Sequence, residues 1–549
     1  MLNNTGPVDR YKWVALSNTT MGVLIVTINM SILLIALPDI FRGIGIDPLA
    51  PDDIDYLLWL IMGYLVVTAV LVVSFGRLGD MYGRTRMYNL GFAVFTVFSV
   101  LQGVGGALLL ANSTAILTDA FPVHQRGLAL GINSVAAIAG SFLGLVVGRV
   151  LAPVNWHLVF LVSVPVGVFG TVWAYARLRD TGARRAARID WWGNLTFAVG
   201  LVAVLMGITY GIQPYGGDVM GWTSPLVLGL IGGGIAVLAL FTWIERRVAE
   251  PMFHVSLFSI RAFTAGNLAS LLAALGRGGL QFILIIWLQG IWLPEHGFPF
   301  ETTPLWAGIY MVPLTIGFLV AGPVSGVLSD RYGARAFATV GMVGAAATFL
   351  ALLALPVDFD YRAFAVLLAL NGLAMGLFSS PNRAAIMNSL PAHQRGAGAG
   401  MTSTFQNAAT VLSIGVFFSL LIAGLSTTLP TSLHDGLMAQ GVPELAADRV
   451  SALPPVGILF AALLGYNPIA TLLGPQVLGA LTPTQSAYLT GRQFFPQLIS
   501  GPFADGLTLA LGFAAVACLV AAVASALRGG KYHHVDDEAD VAVPVPARS

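Results

Sequence analysis

Apolar stretches of about twenty residues recur along the whole chain, separated by short polar segments. Each is long enough to cross a hydrocarbon core of about 30 Å as a helix. The pattern predicts spans over 13–37, 56–75, 127–151, 157–177, 191–212, 225–244, 263–292, 304–327, 336–355, 363–383, 400–424 and 504–527. One run does not fit. From Met87 to Phe121 the only charge in 35 residues is Asp119, so the run is too long for one ordinary span and too short for two. Residues 425–503 are rich in Pro, Gly, Thr and Ser and read as a long loop outside the membrane.

Composition agrees with a polytopic membrane protein: of 549 residues, 56% are hydrophobic and 10% charged, too little charge for a water-facing surface of this size. A net charge of +1 gives no electrostatic case for a nucleic-acid partner. The single cysteine, Cys518, excludes an internal disulfide. The first 12 residues are polar and run into an apolar segment with no small-residue cleavage pattern, which reads as a retained first span. Eight histidines and one cysteine form no metal or nucleophile constellation, so neither an enzyme nor a cofactor or metal site is expected. His533 and His534 with Asp536, Asp537 and Glu538 read as a solvated tail.

Lys and Arg cluster at 10–12, 77–86, 177–188, 246–261, 331–335, 395 and 528–531, whereas 213–224 and 293–303 have none. The positive-inside rule makes the clusters cytoplasmic, with both termini inside.

The sequence also repeats itself. GRLGDMYGRTR at 76–86 returns as GVLSDRYGARA at 326–336, an offset of 250, and PVHQRG at 122–127 returns as PAHQRG at 391–396, an offset of 269. The first half is therefore 19 residues shorter between these motifs. The unmatched block of the second half is about 351–369, an outer loop with Pro356, Asp358, Asp360 and Arg362 and the helix ends beside it. The run 87–121 then looks like a hairpin that has lost its outer tip. One straight helix of that length would measure roughly 52 Å and need a tilt of about 55°. Two arms of about 15 residues, roughly 23 Å each, would turn inside the membrane, which is tolerable only where the turn is buried or wet. Ser99, Gln102, Gly103, Gly105 and Gly106 are turn-competent. The hairpin is favoured; the single crossing, or a damaged gene, stays open.

The paired G-x-L-x-D-x-Y-G motifs resemble the major facilitator superfamily over nearly the whole chain. TINMSILLIALPDI at 27–40 and LQGVGGA at 101–107 are similar to motifs of its fourteen-span drug–proton antiporter branch. So are ARIDWWGN at 187–194 and ERRVAEPMFHVSLFSIRAF at 245–263, which flank that branch's two extra spans. LPPVGILFAALLGYNP and FFPQLIS look like an actinobacterial subgroup. The resemblance implies an all-α fold of two six-helix bundles with two central extra helices, alternating access and secondary transport. Asn29 stands where the branch usually has Asp, and Ser99 where it usually has Arg, positions associated with proton coupling. Gly144-Leu145, Gly148-Arg149 and Trp156-His157 depart from its usual pairs. The resemblance therefore implies transport but leaves proton coupling unsupported.

The expected gating motif is Gly76, Asp80, Gly83, Arg84 and Arg86, with Asp330 and Gly333 as its second copy. Asp80 can accept charge-assisted hydrogen bonds from a facing helix end or an arginine; the bland alternative is that the basic residues only set topology. Gly140, Gly144 and Gly148 form a small-xxx-small ladder, for plain packing or for sliding between bundles. Asn267, Ser270, Arg277 and Gln281 share one helix face, and Arg277 lies mid-span. They suggest a site for an anionic or polar substrate group; a structural stripe is the alternative. Gln102, Asn371, Gln406 and Asn407 are further polar groups in spans, more often interhelical glue than ligands. Thr20, Thr27 and Ser31 share a face and Asn29 projects away from it, toward helix packing. Arg149 reads as snorkelling. No acid is central in a span; Asp39 and Asp55 are the least unsuitable proton carriers.

The expected organisation is a cytoplasmic N-terminus (1–12), a first bundle (13–180), two extra spans with linkers (181–262) and five spans of the second bundle (263–424). An extracytoplasmic loop (425–503), a last span (504–527) and a cytoplasmic tail (528–549) follow. The expected function is export of amphipathic drugs or metabolites across the plasma membrane, with a small molecule and the lipid bilayer as partners, a proton as an open one, and a monomer. The alternative is a degenerate, non-transporting paralogue acting as sensor or scaffold.

Overall fold

The computed structural model describes residues 7–44, 54–97, 102–122, 125–152, 154–179, 190–248, 251, 253–391, 394–464 and 467–529. Fourteen helical rods organise them. The first six are α1 (Pro7–Ile44), α2 (Ile54–Tyr82), α3 (Arg84–Val97), α4 (Gln102–Ala120), α5 (Arg126–Leu151) and α6 (Leu158–Arg177). Two more, α7 (Trp191–Gly211) and α8 (Pro225–Glu245), precede the second set. That set is α9 (Arg261–Glu295), α10 (Thr303–Tyr332), α11 (Ala334–Leu353), α12 (Tyr361–Asn388), α13 (Arg395–Ala439) and α14 (Phe494–Ala526). Among the described residues, eleven helices are long and apolar enough to span a membrane, and one bent pair could make a twelfth. The protein is an all-α multi-pass membrane protein.

The run 87–121 is two helices, α3 and α4, with residues 98–101 between them outside the described set. The arms pack closely because both carry glycine at the contact. A Cβ on Gly91 would lie 2.8 Å from Leu108 Cβ, and one on Gly105 would lie 2.6 Å from the Phe95 nitrogen. The described part of α3 has 14 residues, about 21 Å, and at most 18 residues separate its start from that of α4, whereas its counterpart α11 has 20. The second half keeps the outer tip: Trp287 and Trp292 donate their indole N–H groups to the carbonyls of Val357 and Phe359, at 2.9 and 3.0 Å. Asp360 then caps α12 by accepting the Arg362 N–H.

Two seams join the halves. Along one, α5 meets α10 with almost no side chain between: a Cβ on Gly131 would come within 2.9 Å of the Gly322 oxygen, and one on Gly127 within 2.5 Å of the Gly326 oxygen. Along the other, α2 meets α13, where Thr404 donates to the Ala69 carbonyl at 3.0 Å. The extra helix α7 covers this second seam. Its Asn194 accepts from Ser74 of α2, and its Ile208 fills the space beside Gly415 of α13.

Segment 425–503 is more helical than its composition suggests. Helix α13 continues to Ala439, and α14 starts at Phe494, ahead of the expected 504. Between them, Pro455–Leu464 buries Val456, Ile458 and Phe460 and lies against the π-helical turn Ile286–Trp292 of α9. Its apolar residues are used for packing on the second bundle, which loop-like Pro and Gly content concealed.

Candidate functional site

At one end of the molecule each half caps a helix of the other. Asp80, 3% exposed at the end of α2, accepts from Arg84 Nε and Nη2 at 2.9 and 2.8 Å. Its other oxygen accepts the backbone N–H of Ala397, in the first turn of α13, at 2.8 Å. Arg84 also pairs with Asp119 of α4. In the mirrored position Asp330 accepts the backbone N–H of Gly127, in the first turn of α5, at 3.2 Å. A carboxylate suits a helix N-terminus, where unpaired N–H groups and the helix dipole both favour negative charge. Arg126 completes the closure by donating to Asn388 Oδ1 at 2.9 Å and to the carbonyls of Thr118 and Phe121. Gly83 (φ +106°) and Gly333 (φ +90°) make the tight joints after the two acids, in a backbone region that favours glycine. Gly76 is buried, and Arg86 is exposed and takes no part in the closure.

Between the halves lies a cavity of about 370 Å³. Helix α9 contributes Ser270, Arg277 and Gln281; α12 contributes Arg383; α13 contributes Gln406 and Asn407. From the first half come Thr27 and Ser31 of α1 and Asn133 and Ser134 of α5. Phe282, Phe318 and Phe378 supply apolar wall. Arg277 stands two residues before Gly279, where α9 is slightly irregular but keeps helical backbone angles (φ −77°, ψ −20°). The Gly279 N–H donates to Ser413 Oγ at 2.8 Å. Arg383 donates to Ser134 Oγ at 3.1 Å and to Gln406 Oε1 at 3.5 Å. Arg277 lies over the Phe318 ring, 5.9 Å from its centroid. None of the described residues lining the cavity is Asp or Glu.

The predicted residues divide. Ser270, Arg277, Gln281 and Gln406 meet in the cavity, and Asn371 lines a small adjoining one with Arg277 and Gln281. Asn371 is also tied to Thr348 Oγ1 at 2.8 Å. Gln102 and Asn267 are not brought to the cavity. Gln102 donates to Ser163 Oγ at 3.2 Å and Asn267 to the Phe263 carbonyl at 2.9 Å, because each faces a neighbouring turn or helix. The ladder of Gly140 and Gly144 packs on α1, with would-be Cβ atoms 2.8 Å from the Leu24 oxygen and 2.5 Å from the Ile28 oxygen. Sliding between bundles is thus not its contact; the inter-bundle glycines are Gly127, Gly131, Gly322 and Gly326. Gly148 is buried in the same helix, and Arg149 occupies its last turn. Asn29 is buried away from the cavity. Ser99, the side chains of Asp39 and Asp55, and the His533–His534 tail lie outside the described residues. Sequence reasoning missed Arg383 and Ser134.

Comparison with known proteins is consistent along the chain. It is 27% identical to the tetracenomycin C resistance and export protein of Streptomyces glaucescens, over 97% of this chain and 94% of that one. It is 26% identical to the riboflavin transporter RibZ of Clostridioides difficile (strain 630), over 76% and 90%. With the multidrug resistance protein Stp of Mycobacterium tuberculosis (strain CDC 1551 / Oshkosh) it shares 26% identity over 82% and 84%. The profile of the Major Facilitator Superfamily matches residues 19–190 and 183–414. Most of the chain, including both cap-forming acids and the cavity helices, is covered by that match, and the chain belongs to the major facilitator superfamily.

Proposed function

We propose that this chain is a secondary transporter that exports amphipathic small molecules across the plasma membrane by alternating access. The observation that carries the reading is the reciprocal capping of α13 by Asp80 and of α5 by Asp330 beside a central cavity. One end is shut by a few buried hydrogen bonds between rigid halves, which is the form a reversible gate takes. By the positive-inside rule the basic clusters support a cytoplasmic Asp80 end and cytoplasmic termini. The state described is then closed to the cytoplasm. The names of the relatives, two of them resistance proteins and one an export protein, support outward transport.

The 19 residues missing between the repeated motifs of the first half favour a second reading, a paralogue that no longer transports. Movement of a fluorescent amphipathic dye in proteoliposomes tests the two. Protein-dependent, saturable movement is expected; its absence in well-folded, correctly inserted protein would favour the paralogue.

A further inference from the structure

The cavity contains two guanidinium groups and no acid among its described lining. Arg277 comes from α9 and Arg383 from α12, and their like charges repel. Arg383 is held by two neutral oxygens, those of Ser134 and Gln406. These orient the group without neutralising it. Arg277 has no hydrogen-bond partner among the described residues, and its side chain is open to the cavity although it lies mid-span. A charge held at membrane depth without a counter-charge is costly, and two of them facing one space are more so. A bound anion removes that cost by pairing with both forks. A cation entering the same space would meet two positive charges and no carboxylate.

We propose that Arg277 and Arg383 form a binding site for an anionic group, a carboxylate or an ionised phenol, carried on an amphipathic substrate. This rests on the transporter reading and names its substrate class. The anionic group sits between the guanidinium groups. The apolar body of the ligand lies against Phe282, Phe318 and Phe378. Ser134 is a positioning residue: it holds Arg383 across the boundary between the halves, so ligand charge is sensed by both.

The test uses two dyes of one xanthene scaffold, carboxyfluorescein as the anion and tetramethylrhodamine ethyl ester as the cation. Binding is measured by fluorescence anisotropy on the purified full chain, and movement in proteoliposomes. Carboxyfluorescein is expected to bind and move, with affinity falling about tenfold or more in Arg277→Gln and in Arg383→Gln, the loss of a charge-assisted pair. Arg277→Lys, which keeps the charge, is expected to retain part of the affinity. It is read in place of the glutamine variant if that one fails to fold. Equal carboxyfluorescein affinity in wild type and both glutamine variants overturns the site. Binding and movement of the cation alone overturns the anion site while leaving the transporter standing. Movement of neither dye by folded protein counts against both readings.

Discussion

The carboxylate of Asp80, in α2, accepts the backbone N–H of Ala397, in α13, at 2.8 Å across the seam between the halves. The bond joins a side-chain charge to a helix end, so it breaks as a unit when the halves separate. Asp80→Asn keeps an acceptor but removes the charge, and loses about 1–2 kcal/mol of the lock. The closed state should become less populated by roughly tenfold. A cysteine at Ser403, in the cavity lining, in a Cys518→Ser background reports this. In inside-out vesicles it should react faster with a membrane-impermeant maleimide when Asp80 is Asn. Asp330→Asn should act in the same direction and more weakly, because its bond to Gly127 is longer, 3.2 Å.

Two glycines of the same helix should behave differently. Gly131→Val places a branched side chain where even a Cβ comes within 2.9 Å of the Gly322 oxygen, between the halves. It should abolish transport and raise cavity labelling from the Asp80 end, with little loss of thermal stability. Gly140→Val forces α5 off α1 inside one half, where a Cβ comes within 2.8 Å of the Leu24 oxygen. It should lower the melting temperature by several degrees, on the order of 2–3 kcal/mol of overpacking. Equal melting curves for the two would contradict the division of labour.

Residues 86 and 122 flank the shortened hairpin and are both exposed. Since Asp119 pairs with Arg84, the two flanks lie at one end of the molecule. Single cysteines at these positions, in the Cys518→Ser background, should both be protected in whole cells and both react after lysis. Opposite behaviour at the two positions would mean a single crossing.

Nothing acidic lines the described cavity, so the pH gradient has no carboxylate there to act on. Export of an anionic dye from proteoliposomes should continue when nigericin collapses that gradient. A negative-inside potential set with valinomycin should accelerate it, because the anion then leaves down the electrical gradient. An arrest by nigericin would show a proton carrier elsewhere, Asp39 and Asp55 being the first to replace.

The two helix-capping acids were legible because their chemistry is local and repeated. A short motif with an acid before a tight glycine joint occurs twice, and so does the Gln-Arg-Gly that opens each capped helix. What pairs with what was not legible: the offset of 250 does not say that Asp80 caps the other half. The cavity was half legible. Ser270, Arg277 and Gln281 announced themselves as a polar stripe in an apolar run. Arg383 did not, because the predicted span stopped at that charge, whereas α12 continues to Asn388. Composition alone also could not separate a Pro- and Gly-rich loop from the short helices that fill 444–489.

The brevity of the hairpin arm that begins with α3 has a consequence in the lipid around the protein. This helix packs on α4 and α6, and Leu90 on its surface is exposed. Only 18 residues run from Arg84 to the start of α4 at Gln102, room for a helix of at most about 27 Å, which is less than the hydrocarbon core. The bilayer must thin along that flank, at a fraction of a kcal/mol per ångström. Any rocking that tilts α3 changes the area of thinned membrane, so lipid elasticity enters the balance between the two states. Acyl-chain length then acts as an effector. Transport should be faster in short-chain than in long-chain phosphatidylcholine, and restoring a full-length outer tip to the hairpin should erase the difference.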